Sequence, residues 1–106
     1  MEAMLRRYDP QTRFEQVCDL AAMKEIGDDG ANPYKPDRAM INAVSDPAVA
    51  EAVMKGSGGA FRSHGLWYRF SFTCRASPDR MKVLSFTYQL GPQIPKAKWE
   101  EYGLFR

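Results

Sequence analysis

Residues 66–74, LWYRFSFTC, alternate without a break. Leu66, Tyr68, Phe70, Phe72 and Cys74 fill one parity; Trp67, Arg69, Ser71 and Thr73 fill the other. A period of two belongs to a β-strand, whose successive side chains point to opposite faces. One parity is apolar throughout, so one face of the strand is core and the other meets water or a partner. A second stretch repeats the pattern at 81–91, MKVLSFTYQLG, with Leu84, Phe86, Tyr88 and Leu90 against Val83, Ser85, Thr87 and Gln89.

Turn residues join these runs. His64-Gly65 separates AFRS from the alternating strand, so 60–75 reads as a hairpin with a tight turn. ASPDR at 76–80 is a second turn, and 60–90 becomes a three-stranded antiparallel meander. GSGG at 56–59 reads as a turn or hinge ahead of it. Such a sheet, apolar on one face, needs a cover.

The N-terminal half supplies one. Asp9-Pro10 is an N-cap followed by proline at the first helical position. Phe14, Val17, Cys18 and Ala21 then recur at helical spacing, Leu20 and Ile26 widen the stripe, and Gly27 is a stop. A helix over 10–26 is expected, with residues 1–9 as a flexible leader and 10–106 as one domain. DDGANPYKPD at 28–37 is a loop. Its Asp28-Asp29 pair lacks the alternating oxygens and closing Glu of a calcium loop, so no metal is expected there. Residues 38–44 and 48–56 fit a short helix or a strand equally, because short apolar runs are not settled by periodicity. Near the C-terminus, 96–102 reads as a short helix closing at Gly103, with Trp99, Tyr102 and Leu104 docking on the sheet. The fold class is α+β: an antiparallel sheet of at least three strands (60–90) covered by helix 10–26, with a short C-terminal helix.

The chain has two cysteines and one histidine, too few and too far apart for a zinc site. Two readings stand: two buried thiols, or one disulfide. Cys18 lies on the apolar face of the helix and Cys74 on the apolar face of the strand it covers, which favours a bridge. A bridge places the domain in an oxidising compartment, periplasmic or secreted. The formal charge of +2 over 106 residues makes no case for nucleic acid. No stretch approaches the length of a membrane span, and the first residues lack the apolar core of an export signal.

Three blocks carry a resemblance. FEQVCDLAAMKEI is similar to the C-D-L-x-A-M-x-x-I opening of an alphaproteobacterial family, the domain of unknown function 930. GGAFRSHGLWYRFSFTC resembles its G-A-F-R-S-x-G-x-W-Y-R-L-S-F-x-C block, and GPQIPKAKWEEYGL its closing G-x-x-I-P-x-x-x-W-x-x-x-x-L segment. The resemblance covers 14–104 and implies no activity. It does imply a setting: many members carry this domain at the C-terminus, behind a membrane anchor and a proline-rich linker, in the manner of TonB or TolA energy-transducing proteins. This chain has neither element, and is expected to be an excised domain or a short single-domain member.

No nucleophile elbow, zinc-protease helix or phosphate loop is present, and no cofactor is expected. His64 sits in a turn, and Ser63 beside it is no dyad, since strand neighbours face opposite ways. The candidate binding residues are Arg62, His64, Trp67 and Arg69. Trp67 and Arg69 share the outward face of the central strand, a composition suited to a protein contact or to a cation–π pair capped from within the fold. Arg62 is expected to hold Asp19 or Glu25 if its role is structural. The leading expectation is a non-enzymatic periplasmic or envelope-associated module that binds a protein or peptide, through this face or by strand addition to an exposed edge. On that expectation Trp67→Ala lowers partner capture more than stability. The competing expectation is a small enzyme or ligand-binding domain with a pocket around Trp67 and Arg69.

Overall fold

A covering helix sets the frame, and its start follows the capping rules. The computed structural model describes residues 9–105, so the expected leader lies outside the described residues except for Asp9. The Asp9 carboxylate accepts from the Thr12 N–H at 2.9 Å, and Pro10 opens helix α1, Pro10–Asp28. Phe14, Val17, Cys18, Ala22 and Ile26 are its buried residues. The buried face steps by four from Phe14 to Ile26, so Ala22 takes the place expected for Ala21, and Leu20 is 36% exposed. Gly27 does not end the helix, which continues through Asp28. The Asn32 side-chain amide caps it from below by donating to the Ile26 carbonyl at 3.3 Å.

Five strands form one antiparallel sheet: β1 Pro36–Met40, β2 Ala48–Ala50, β3 Val53–Ser63, β4 Leu66–Ala76 and β5 Val83–Gln93. The order is β1-β3-β4-β5, and β2 also pairs with β3 on the β1 side. Of the undecided segments neither is helix: 38–40 are strand and 41–44 turn and bend, while 48–50 are strand, 51–52 turn, and 53–56 begin β3.

Both meander turns occur where the sequence puts them. Ser63 pairs with Leu66 across His64 (φ 53°) and Gly65 (φ 80°). Two consecutive left-handed residues make the type I′ turn that suits a two-residue hairpin. Further along, Ser77 accepts from the Arg80 N–H and donates its own N–H to the Lys82 carbonyl.

Two expectations about local geometry are corrected. Residues 56–59 are neither a turn nor a hinge but the middle of β3. There the register slips from Gly56↔Phe72 to Gly59↔Phe70, a bulge. A Cβ on Gly58 would overlap Ser45, and one on Gly59 would fall 2.7 Å from the Phe70 ring. These glycines allow close approach of neighbours rather than a change of direction. The second correction concerns Leu84, expected on the core face and 57% exposed. Ala76 pairs with Val83 while Arg75 pairs with Ser85, so Leu84 is the extra residue of a bulge and Val83 packs on the core instead.

The sheet carries a core on each face. Between helix and sheet lie Phe14, Ile26, Ile41, Met54, Phe61, Phe70 and Phe72, crossed by the bond between Cys18 and Cys74. Their Cα atoms are 6.2 Å apart, across 56 residues of sequence. On the opposite face Ala60, Trp67, Ile94, Trp99 and Leu104 form a second cluster. The expected C-terminal helix is a shorter object: one 3₁₀ turn, Lys96–Lys98, continued by turns to Gly103 at φ 71°. Trp99 and Leu104 dock on the sheet as expected, and the Trp99 indole donates to the Ile94 carbonyl at 2.9 Å.

Candidate functional site

Of the four residues singled out from sequence, Arg62 and Trp67 come together, and His64 and Arg69 stand apart from them. Trp67 is on the face its parity predicts, but that face is covered there. The ring is 0% exposed, and its Nε1–H donates to the Phe105 carbonyl at 2.8 Å. A residue sealed in this way offers no contact surface: of the two readings of this face, the cation–π pair capped from within the fold is the one found, and the open contact is not. Arg62 pairs with Trp67 across the strands and stands 5.8 Å over its ring. Its guanidinium forks onto Asp37, Nε to Oδ1 at 2.9 Å and Nη2 to Oδ2 at 3.1 Å. The partner is therefore Asp37 of β1, not Asp19 or Glu25. That bidentate contact holds the Asp37 carboxyl below its ordinary range and raises Arg62 in return. His64 is exposed at the hairpin tip. Arg69 lies on the outer face, donating to the Ser57 carbonyl at 3.2 Å.

The competing expectation places a pocket around Trp67 and Arg69, and among the described residues the two do not line one hollow together. The hollow beside Arg69, about 210 Å³, is lined by Ser57, Ser71, Gln89 and Pro92 and does not reach Trp67. Asp19 is half-buried. Burial pushes its carboxyl up to about 7, against the opposing pull of the Ile41 N–H that it accepts at 2.9 Å and with a smaller push from Glu15. That bond fastens α1 to the residue after β1, which is a structural task. Asp29, one of the two loop acids, accepts from the Ala31 N–H and from the Tyr88 hydroxyl, and so is engaged in holding the helix end.

A different region has the properties of a recognition surface. β5 is the last strand of the sheet, and among the described residues nothing pairs with its outer edge. From Val83 to Gln93 it contains no charged residue. Natural edge strands are ordinarily kept short, or defended with charges, proline or bulges, because unpaired N–H and C=O groups invite another strand. Here bulges flank the strand but leave a regular register from Arg75↔Ser85 to Phe70↔Leu90. Proline enters only at Pro92.

Beside this edge runs a groove of about 380 Å³ between α1 and β5, lined by Val17, Leu20, Ala21, Val83, Leu84 and Phe86. The helix is tied to the flanks of β5 at both ends of the groove. Arg13 Nη1 donates to the Asp79 carbonyl at 2.8 Å, and the Tyr88 hydroxyl donates to Asp29. Burial first, and Asp29 second, push the Tyr88 hydroxyl up to about 12, so it remains a donor at any ordinary pH. The misplaced residues of the preceding section meet here: Leu20 and Ala21, off the buried stripe, and Leu84, displaced by the bulge, are groove walls. Strand addition to some edge was foreseeable. The signal that would have identified this one is the uncharged run 83–93.

The family model described as Domain of Unknown Function (DUF930) matches residues 5–104. No curated protein and no solved structure matches the chain.

Proposed function

The chain belongs to the DUF930 family, and from that premise we propose that it is a non-enzymatic module that binds a protein or peptide by adding an extended segment to the open edge of β5. The observation that carries this reading is the long uncharged edge with an apolar groove alongside. Main-chain groups of β5 supply affinity that does not depend on sequence, and the groove supplies side-chain discrimination. We further propose a periplasmic or other envelope setting. The bond between Cys18 and Cys74 supports an oxidising compartment, and no helix of the described residues is long and apolar enough to cross a membrane.

Amide hydrogen exchange on the oxidised protein, with and without peptides selected from a random display library, tests the binding reading. Slowed exchange confined to β5 is the expected result. Slowing instead around Ser57, Arg69 and Ser71 would move the site to the outer face and sink the proposal. Thiol trapping in intact producing cells tests the setting, and two free thiols there would refute it.

A further inference from the structure

The edge also says what kind of segment fits it, an inference that rests on the strand-addition reading. We propose that the ligand of β5 is an extended segment pairing over about six residues, apolar at alternate positions, uncharged within that run, and acidic at the end that lies beside Lys82.

Length follows from register. The β4–β5 pairing is regular from Ser85 to Leu90 and slips on both sides, after Val83 and at 91–92. A bulge turns the backbone out of line, so an added strand follows β5 across these six residues, about 20 Å at the usual rise.

Alternation follows from the two sides that an added strand would face. Toward the helix its side chains meet Val17, Leu20, Ala21, Leu84 and Phe86, with Leu84 57% and Leu20 36% exposed in the unliganded chain. Apolar residues gain by covering that surface, and a charge buried there without a partner costs several-fold in affinity at the least. Toward the outer face the neighbours are Ser85, Thr87 and Gln89, which are exposed and suit hydroxyl or amide side chains.

Charge gives the segment a direction. Lys82 lines the groove at the start of β5 and makes no ion pair among the described residues. At the other end Lys24 is already paired with Asp28 at 3.2 Å, and Glu25 makes no ion pair among the described residues. An acidic residue is therefore drawn to the Lys82 end and repelled from the Glu25 end. The contribution at an exposed site is small, so it orients the segment more than it tightens it.

The test uses the oxidised full chain and a panel of labelled octapeptides, the first two of one composition. In the first the six-residue core alternates valine with threonine and ends in aspartate. In the second the valines and threonines are blocked. In the third one valine is replaced by lysine. Affinity is read by fluorescence anisotropy and location by amide exchange. The alternating peptide is expected to bind at least ten-fold tighter than the blocked or the lysine peptide and to slow exchange in β5. Leu84→Lys should weaken it by ten-fold or more. Lys82→Glu should weaken it several-fold at low salt, with recovery when the terminal aspartate is changed to lysine. Equal binding of alternating and blocked peptides, with β5 protected, overturns this inference and leaves the edge reading standing. No protection of β5 by any peptide overturns the edge reading itself. Sedimentation of the free chain as a dimer with β5 already protected makes a second copy the occupant and also overturns the inference.

Discussion

The two margins of the sheet are built to opposite specifications. On one side β3 is covered by two short pieces, β1 of five residues and β2 of three, and β1 carries Pro36, Asp37, Arg38 and a register shift. That corner is closed further by Arg62 on Asp37, by Asp19 on the Ile41 N–H, and by the C-terminal segment over Trp67. On the other side β5 runs eleven residues without a charge, beside an apolar groove. Proline, charge and shortness are the means by which proteins discourage edge-to-edge pairing. This chain uses all of them on one margin, whereas the other is long, uncharged and free of proline over the regular run from Ser85 to Leu90, which distinguishes β5 as the side open to a strand.

The comparison implies that substitutions on the closed side cost stability and those on the open side do not. The largest effect is expected at Trp67. Truncating a fully buried indole removes its transfer energy and leaves a cavity and an unpaired Phe105 carbonyl, so Trp67→Ala should destabilise by about 3–5 kcal/mol in urea unfolding. This reverses the expectation drawn from sequence, where Trp67 was to lower capture more than stability. An unfolding midpoint close to that of the parent would mean that the C-terminal segment does not seal this corner.

Next is the bridge that holds the helix over the sheet between the two margins. Opening the loop of 56 residues by Cys18→Ala with Cys74→Ala should cost about 2–4 kcal/mol, again by urea unfolding. It should also loosen α1 from β5, where the ties are Arg13 to the Asp79 carbonyl and Tyr88 to Asp29, and so weaken peptide capture. Full capture by the bridgeless variant would show that the groove does not depend on the crosslink.

Asp19 gives the third test, and it concerns pH. Its folded value, about 7, lies above the ordinary 3.8, so the native state keeps a proton that the unfolded chain releases. The stability contributed is complete below about pH 4 and is lost as pH rises toward 7. Asn retains an acceptor for the Ile41 N–H and carries no charge. Asp19→Asn should thus match the parent at pH 4 and exceed it at pH 8 by on the order of 2 kcal/mol, seen as a flattened profile of melting temperature against pH. Parallel profiles would show that the carboxyl is not strained by burial.

What the sequence revealed follows from the range of each interaction. The alternation of 66–74 and the HG turn are local, and they located β4 and its hairpin correctly. Cys18 with Cys74 followed from two faces that had to meet. The errors came where a distant segment decided the outcome. Trp67 was assigned to its correct face, but only the docking of Trp99, Leu104 and Phe105 shows that the face is covered. The partner of Arg62 is Asp37, in a segment that reads as loop from its turn residues and that pairing with β3 makes part of β1. Leu84 obeyed an alternation that the bulge opposite Arg75 breaks, and nothing in MKVLSFTYQLG signals that bulge. The same slip that defeated the periodic reading places an exposed leucine in the groove.

The smallest stability effect is expected at that leucine, and it tests the comparison most directly. Leu84 is 57% exposed and adds little to the core, so Leu84→Lys should change unfolding free energy by no more than about 0.5 kcal/mol, the range of ordinary surface substitutions. A loss above 1 kcal/mol in urea unfolding would place the residue in the core and close the groove. Alongside that near-null result, a lysine introduces into β5 the kind of charge that β1 already carries in Arg38. An added strand would have to bury it, whereas in the free chain it stays in water. The variant should therefore keep the fold and lose capture, so that the open margin behaves like the closed one.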